Sequence, residues 1–257
     1  MFFARPKEYP AAELFSFGHM VLLAITVVLV IVSAKNTRHK SNIEVKKIIR
    51  NSVIFLWILE VIKIIFNLCV GNAKNPNTYI PLYFCSIILY AGMFSAFGKG
   101  KIKKVGDVFI ATGGFVAGIC FILYPNTSLT NYPAFHYISI QSFIFHGIMI
   151  YLGILVNITD YIKIEKKDII YYFSFVTIMS AIAYGFNSYF DSNLMFISKN
   201  YPNTPVEIIY DMSGKLFPLV MTIGQATVPF YCIYVLKKEG KEVRVLLEAP
   251  KLEEIEN

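Results

Sequence analysis

The sequence predicts an all-α, polytopic membrane protein, a bundle of seven transmembrane helices with its N-terminus outside the cytoplasm and its C-terminus inside. The first observation is composition, since 56% of the 257 residues are hydrophobic and only 16% are charged. The second is that the apolar residues fall in blocks of about twenty, the length that crosses about 30 Å of hydrocarbon as a helix. These blocks lack the alternation of barrel strands, so only helices can pair their backbone groups in lipid.

Seven apolar runs are expected to span the membrane. Their approximate bounds are 13–34, 49–70, 79–98, 107–124, 135–156, 169–188 and 215–236. Together they form a single membrane domain over 1–236, followed by a short charged cytoplasmic tail at 237–257. The first run is not interpreted as a signal peptide, because it is too long, two glutamates precede it and the basic cluster follows it.

The third observation is that the charge of the connections alternates. The first, third and fifth connections and the tail are rich in Lys and Arg, whereas the second and sixth contain only Lys74 and Lys199 and the fourth contains no basic residue. Because Lys and Arg concentrate on the cytoplasmic side, the basic connections and the tail are inside. The basic residues behind the formal charge of +7 are expected to orient the protein in the membrane and to contact membrane lipids. Nucleic acid is not an expected partner.

The four cysteines all fall within apolar runs and form neither a CxxC motif nor a Cys/His cluster at metal spacing. No metal and no cofactor is therefore predicted.

The abundance of Ile, Lys, Asn, Phe and Tyr is typical of an AT-rich bacterial genome, so the expected location is a bacterial plasma membrane.

Gly113, Gly114 and Gly118 give the fourth span a face for close helix packing, within one chain or between two copies.

Polar and titratable side chains inside spans are costly and mark functional sites. Six such side chains are His19, Glu60, Lys63, Cys85, His146 and Gln225. Counted at about 1.5 Å per residue from the outer end of each span, all six lie in the outer half of the bilayer. The sequence therefore predicts a polar cavity that opens toward the outer leaflet.

Two pairs within this set have recognisable chemistry. Glu60 and Lys63 lie one helical turn apart, the spacing of an intrahelical ion pair, which can be a structural feature or part of a site. Cys85 and His146 share a depth on different spans, so they can form a thiolate–imidazole pair in which the thiolate attacks an acyl carbonyl. A buried cysteine or a hydrogen-bonded core histidine is the alternative reading of each residue.

Four stretches match a known family in order and placement. IPLYFCSI at 80–87 resembles the P-L-H-L-C signature of the YwaF-like integral membrane family, whose eukaryotic relatives include the transmembrane protein 164 acyltransferases. FGH at 17–19 and FHG at 145–147 agree with it, and NSYFDSNLMF at 187–196 resembles the family's N-x-x-x-G-x-N-Y-M-F. The resemblance extends from about residue 13 to about residue 236.

This resemblance implies seven helices and, as in the eukaryotic branch of the family, a cysteine-dependent transfer of fatty acyl groups between membrane lipids. Cys85 falls on the family's proposed nucleophile, and His146 falls on its histidine in the fifth span. Tyr83 stands where the family usually has His, and Asp191 stands where Gly is common. Residues expected to bind or orient the substrate are His19, Glu60, Lys63, Tyr83, Asn187, Asp191, Asn193 and Gln225.

Two functional hypotheses from different classes remain open at this point, together with a heptahelical sensor. One is an acyltransferase or hydrolase that acts on phospholipid acyl chains. The other is a transporter or binding protein for a small solute or lipid, in which Glu60 and His146 relay protons. A retinal protein is excluded because its Schiff base needs a lysine inside the last span, and that span has none after Lys215.

The predicted orientation can be tested by labelling introduced cysteines in intact cells. Cysteines at Asn126 and Asn203 should react with a membrane-impermeant maleimide, because both lie in outer connections, and one at Lys101 should react only after the cells are opened. Labelling of the Lys101 position from outside would reverse the assigned topology.

Overall fold

Helices and turns make up the fold of this protein in the computed structural model, which describes residues 1–70, 76–202 and 204–248. No strand occurs among these residues, so the all-α prediction is confirmed. The helices are α1 (Phe17–Thr37), α2 (Asn42–Cys69), α3 (Ile88–Phe97), α4 (Gly100–Phe109), α5 (Phe115–Leu123), α6 (Tyr137–Ile158), α7 (Ile169–Phe190), α8 (Pro205–Ser213) and α9 (Phe217–Glu248). Asn203 and residues 249–257 of the predicted tail lie outside the described residues.

Six helical stretches in the described part of the chain are long and apolar enough to cross a membrane. They are Phe17–Thr37, Asn42–Cys69, Gly100–Leu123, Tyr137–Ile158, Lys166–Phe190 and Pro205–Glu239. The protein is therefore an integral, multi-pass membrane protein. A further apolar helix, Ile88–Phe97, is shorter.

This shorter helix, α3, occupies only the second half of the span predicted at 79–98. Residues 79–87 form successive turns, in which the Leu82 amide donates to the Ile80 carbonyl at 2.9 Å and the Ile87 amide to the Tyr83 carbonyl at 3.1 Å. Pro81 lacks an N–H group and disfavours helical geometry at Ile80, which accounts for the late start of the helix. The prediction of a continuous helix over 79–98 is corrected accordingly.

Side-chain caps set the starts of the first two helices. The Ser16 hydroxyl accepts a hydrogen bond from the His19 amide at 3.3 Å, so α1 begins at Phe17. Ser41 and Glu44 form a capping box in which the Ser41 amide donates to the Glu44 carboxylate at 2.9 Å. This box starts α2 at Asn42, seven residues before the predicted start of the span at 49.

Glycines on α5 and α6 allow three helices to approach one another around the middle of the bundle. A methyl group added at Gly118 would lie 3.1 Å from the His146 carbonyl oxygen, and one added at Gly147 would lie 2.9 Å from a methyl group of Thr26 on α1. A π-helical stretch, Ile110–Gly114, joins α4 to α5. Gly113 in that stretch lies against the Tyr172 ring. The small residues therefore act in packing within the chain, as their spacing predicts.

The segment before α1 covers the C-terminal end of α2 and the N-terminal end of α6. The Tyr137 amide donates to the Phe2 carbonyl at 3.0 Å. The Phe3 ring lies 6.2 Å from that of Phe66 and 5.7 Å from that of Tyr137. These contacts attach the N-terminal segment to both helix ends.

The close approach of α2 and α3 predicts a specific sensitivity to added volume. An alanine at Gly92 would bring its methyl group 2.4 Å from a methyl group of Val53, whereas one at Gly185 on α7 meets nothing within 4 Å. We expect Gly92→Ala to destabilise the detergent-solubilised protein by about 1–3 kcal/mol through overpacking. Thermal unfolding followed by circular dichroism measures the effect.

The matched control is Gly185→Ala, which should leave the unfolding temperature unchanged or raise it, because alanine is the better helix former. Equal unfolding temperatures for the two variants would contradict the close packing of α2 against α3.

Candidate functional site

A buried ion pair on α2 forms the first part of the candidate site. The Lys63 ammonium lies 2.6 Å from the Glu60 carboxylate, and their side chains are 21% and 2% exposed. Glu60 continues the face of α2 on which Val53 and Leu56 are buried, so the pair points into the bundle. A charge in this position is tolerated because its partner lies one turn away on the same helix.

His146 on α6 forms the second part. Its Nδ1 lies 2.7 Å from the Ser142 carbonyl oxygen, and its ring stacks on Phe121 at 3.6 Å between ring centroids and 9° between ring planes. Since a carbonyl can only accept, Nδ1 carries the proton. Nε2 is buried and has no hydrogen-bond partner among the described residues. The imidazole is therefore fixed in position with a free lone pair, the form in which histidine acts as a base.

Cys85 lies in the turns that precede α3 and is partly exposed. Contacts between α2 and α3 position the residues that follow Cys85 in the chain. Trp57 Nε1 donates to the Leu89 carbonyl at 3.3 Å, and Gly92 packs on Val53. Followed toward the C-terminal end of α2, this antiparallel register brings the turn of Cys85 to the level of Glu60 and Lys63. The Cys85 thiol accordingly interacts electrostatically with both members of the ion pair.

Lys63 connects the two candidate catalytic groups. Its ammonium interacts electrostatically with both the Cys85 thiol and the His146 imidazole. The thiol and the imidazole are not joined directly, because His146 Nε2 has no hydrogen-bond partner in the described chain. We refer to Glu60, Lys63, Cys85 and His146 as the outer polar cluster.

The comparison with protein families identifies the chain. Its sequence matches the TMEM164 family over residues 14–236, which is most of its length. The chain belongs to the TMEM164 family. Neither the comparison with curated proteins nor the comparison with solved structures finds a match. Membership of the TMEM164 family indicates a lipid-related membrane protein and confirms the part of the predicted resemblance that concerns the TMEM164 relatives.

His19 of this TMEM164 family member lies apart from the outer polar cluster. Its Nδ1 accepts a hydrogen bond from the Phe15 amide at 3.0 Å, and its Nε2 lies 2.9 Å from the Ile122 carbonyl oxygen. Both ring nitrogens are thus engaged, and the side chain is fully buried. These bonds connect α1 to the end of α5, so the contacts of His19 are those of a packing residue.

The asparagines of the 187–196 motif organise a turn after α7. The Asn187 side chain donates to the Leu194 carbonyl at 3.0 Å and accepts from the Ser192 hydroxyl at 2.7 Å. The Asn193 carboxamide oxygen accepts from the Lys199 amide at 3.0 Å. These bonds satisfy backbone groups in a segment that has no regular α-helix. The asparagines therefore stabilise the shape of the turn.

Asp191 ends α7 in a left-handed conformation with φ of 52°. Its carboxylate is exposed and lies 2.8 Å from the Lys199 ammonium. The left-handed conformation explains why a glycine is suited to this position, since glycine adopts it without strain. Asp191 contributes to the helix end and lies outside the outer polar cluster.

Gln225 and Tyr83 flank the site in different ways. Gln225 on α9 donates from Nε2 to the Met195 carbonyl at 2.8 Å, and so attaches the 194–196 turn to the bundle. Tyr83 lies next to the cluster, because its hydroxyl interacts electrostatically with the Cys85 thiol. Its ring packs 5.1 Å from that of Phe196. The turn after α7 therefore supports the wall of the site through Tyr83.

Two tyrosines near the outer polar cluster were not predicted. The hydroxyl groups of Tyr90 on α3 and Tyr137 on α6 both interact electrostatically with the Glu60 carboxylate. The Tyr137 hydroxyl is buried without a hydrogen-bond partner among the described residues. A tyrosine near the end of a span is usually a headgroup anchor, so the sequence contains no signal that separates these two from the others.

A second buried polar group lies near the C-terminal end of α4 and was not predicted from the sequence. Asp107 accepts a hydrogen bond from the Ser95 hydroxyl at 2.6 Å and pairs with Lys103 at 2.5 Å. Lys103 also lies 4.3 Å from the centre of the Tyr161 ring. The spacing of Lys103 and Asp107, four residues apart, is the sequence signal that would have identified this pair.

The ion pair of the outer polar cluster predicts that one lone charge is worse than none. Replacing Lys63 by Met alone should destabilise the protein by about 3–5 kcal/mol, because the Glu60 carboxylate is left buried and unpaired. Changing Lys63→Met together with Glu60→Gln should restore much of this loss. Folded yield and thermal unfolding in detergent measure both variants.

The exposed pair Lys40–Glu44, whose side chains are 43% and 47% exposed, is the matched control. Lys40→Met should change stability by at most about 1 kcal/mol. Equal losses in the Lys63 single variant and the Glu60/Lys63 double variant would show that the two charges act independently.

Proposed function

We propose that this TMEM164 family member is a membrane-embedded, cysteine-dependent acyltransferase or hydrolase that acts on phospholipid acyl chains. Cys85 is the nucleophile and His146 the general base. The observation that carries the proposal is the state of His146: its Nδ1 is bonded to a carbonyl, and its Nε2 is buried and free to take a proton. A structural histidine such as His19 has both nitrogens engaged.

The backbone around Cys85 supports the same reading. Irregular backbone at membrane depth is tolerated only where protein buries it or a polar cavity borders it. The turns at 79–87 keep Leu82, Ser86 and Ile87 buried while Cys85 remains partly exposed. A thiol that is presented by a turn next to two charged side chains is suited to react with an entering substrate.

The reaction has two half-steps. His146 Nε2 takes the proton of the Cys85 thiol, and the thiolate forms a bond to the carbonyl carbon of a phospholipid ester. The ester C–O bond then breaks, the leaving lysophospholipid oxygen takes the proton from His146, and the acyl group stays on Cys85 as a thioester. In the second half-step His146 Nε2 takes the proton of the hydroxyl of a second lysophospholipid, and the oxygen forms a bond to the thioester carbon. The C–S bond breaks and the Cys85 sulfur takes the proton back from His146, which completes transfer; water in place of the hydroxyl completes hydrolysis.

Lys63 stabilises negative charge in both half-steps. Its ammonium is the positive charge of the outer polar cluster, and a fixed positive charge stabilises the oxyanion that forms at the ester carbonyl. Glu60 holds the ammonium at 2.6 Å and fixes its direction. The thiol and the imidazole are not hydrogen-bonded to each other, which does not argue against the pair, since catalytic hydrogen bonds commonly tighten only in the substrate complex.

The topology that accompanies this function is a seven-span bundle in a bacterial plasma membrane, with the outer polar cluster facing the outer leaflet. The six long helices supply six spans, and α3 with the turns at 79–87 supplies the seventh. An odd number of spans places the two termini on opposite sides, in agreement with the charge alternation of the connections.

The nucleophile assignment predicts the outcome of single substitutions in proteoliposomes. Cys85→Ser should fold normally and abolish transfer of a labelled acyl chain from phospholipid to added lysophospholipid. His146→Gln should lower the rate by about 10²–10⁴-fold, the usual contribution of a general base. Intact-mass measurement should detect an acyl adduct on the wild-type protein and none on Cys85→Ser.

Cys69, Cys120 and Cys232 provide internal controls, because each is exposed and lies outside the outer polar cluster. Their serine variants should keep the wild-type transfer rate. Retention of transfer by Cys85→Ser would exclude Cys85 as the nucleophile, and proton-coupled uptake of a solute by the same variant would favour a transporter.

A further inference from the structure

A proline interrupts the backbone hydrogen bonds of α9. Pro229 lies inside this helix and has no N–H group, so the Gln225 carbonyl one turn earlier loses the donor that a helix would normally supply. The Tyr172 hydroxyl on α7 donates to this carbonyl at 2.9 Å. A carbonyl within an apolar span needs a partner from the protein, so the tyrosine replaces the bond that the proline removes.

Close packing holds the Tyr172 hydroxyl at this carbonyl. The side chain is fully buried, and its ring stacks on that of Phe109 at 5.9 Å, with 16° between ring planes. A methyl group added at Gly113, in the π-helical stretch, would lie 2.5 Å from the hydroxyl oxygen. The glycine therefore leaves the room that the tyrosine occupies.

The Gln225 side chain extends this contact to the 194–196 turn. Its Nε2 donates to the Met195 carbonyl at 2.8 Å. Met195 and Phe196 both have left-handed backbone, with φ of 55° and 54°, a conformation that bulky residues adopt only where their surroundings hold it. The Asn187 carboxamide bonds both backbone groups of Leu194, at 2.7 and 3.0 Å. The turn is thus a strained segment that α7 and α9 hold in place.

The strained turn contacts the segment of Cys85 at two points. The Phe196 ring lies 5.1 Å from that of Tyr83, which is two residues before Cys85 in the same series of turns. The Asn193 amide donates at 2.9 Å to the side chain of Asn77, which lies in the 3₁₀ turn just before them. The backbone that carries the thiol is therefore supported from the far side of the bundle.

We propose that Tyr172 and Gln225 are positioning residues for the reaction of Cys85, a proposal that rests on the proposed function. Tyr172 sets the course of α9 at the proline, and Gln225 holds the 194–196 turn in its strained conformation. The turn in turn holds Tyr83, and with it the thiol, in the place from which it attacks the ester. Both residues act through others and neither supplies a reacting group.

A double variant tests the role of the hydroxyl. Tyr172→Phe leaves the Gln225 carbonyl without a donor, and in proteoliposomes it should lower kcat for acyl transfer by about 10–100-fold with KM unchanged, since the misplaced group is the reacting one. Pro229→Ala restores a backbone N–H to that carbonyl, so Tyr172→Phe together with Pro229→Ala should regain most of kcat. The control is Thr227→Val, which removes an exposed hydroxyl that bonds within α9 and should keep the wild-type rate.

A second measurement does not depend on turnover. Cysteines are introduced at Tyr83 and Phe196 in a variant whose four native cysteines are serine, and a short bifunctional thiol reagent is added. The two positions should crosslink, because their rings lie 5.1 Å apart. Adding Gln225→Leu, which removes the bond to the Met195 carbonyl, should abolish most of the crosslink.

The two readouts separate failure of this proposal from failure of the proposed function. A double variant as slow as Tyr172→Phe, a rise in KM in place of the fall in kcat, or a crosslink that persists with Gln225→Leu would overturn the positioning role. Unchanged transfer by Cys85→Ser would reject the nucleophile, and the crosslink would still show whether Gln225 holds the two turns together. A Tyr172→Phe protein that does not fold, with or without Pro229→Ala, would reject the exchange of hydrogen bonds at the proline.

Discussion

The ion pair between Glu60 and Lys63 is the interaction on which the arrangement of the candidate site depends. A single carboxylate in a hydrocarbon layer is costly, so Glu60 requires the ammonium at 2.6 Å and polar neighbours around it. Tyr90 on α3 and Tyr137 on α6 also lie near Glu60, and Cys85 lies in the irregular backbone that precedes α3. The charges and the broken third span are thus two parts of one polar region inside an apolar bundle.

Close helix packing sets the geometry of His146, the proposed base. Gly118 and Gly147 bring α5 and α1 against α6 on either side of His146, and Phe121 covers one face of the imidazole. The bond from Nδ1 to the Ser142 carbonyl fixes the tautomer, so the free nitrogen is the one that can accept a proton. A base that is held in one orientation before substrate arrives needs little reorganisation in the reaction. Small residues that contact no substrate therefore bear directly on the proposed chemistry.

Much of the candidate site could be predicted from the sequence, because a charged or titratable group within an apolar run is conspicuous. Glu60, Lys63, Cys85 and His146 were predicted at a common depth, and in the structure Lys63 lies near enough to Cys85 and His146 to act on both electrostatically. The tyrosines could not be separated from ordinary headgroup anchors, since their proximity to Glu60 depends on how the helices pack. The same limit applies to Asn187 and Asn193. The motif shows that both residues are present, but only their hydrogen bonds in the structure show that they shape a turn.

The sequence by itself determined the all-helical membrane class, since the length and apolarity of its runs allow no other way to satisfy the backbone in lipid. Only the tertiary structure decided how the two span histidines differ. His19 meets the Ile122 carbonyl, 103 residues away along the chain, whereas His146 Nε2 meets no acceptor or donor among the described residues. Hydrogen-bond partners of this kind are set by helix packing, which local sequence does not encode.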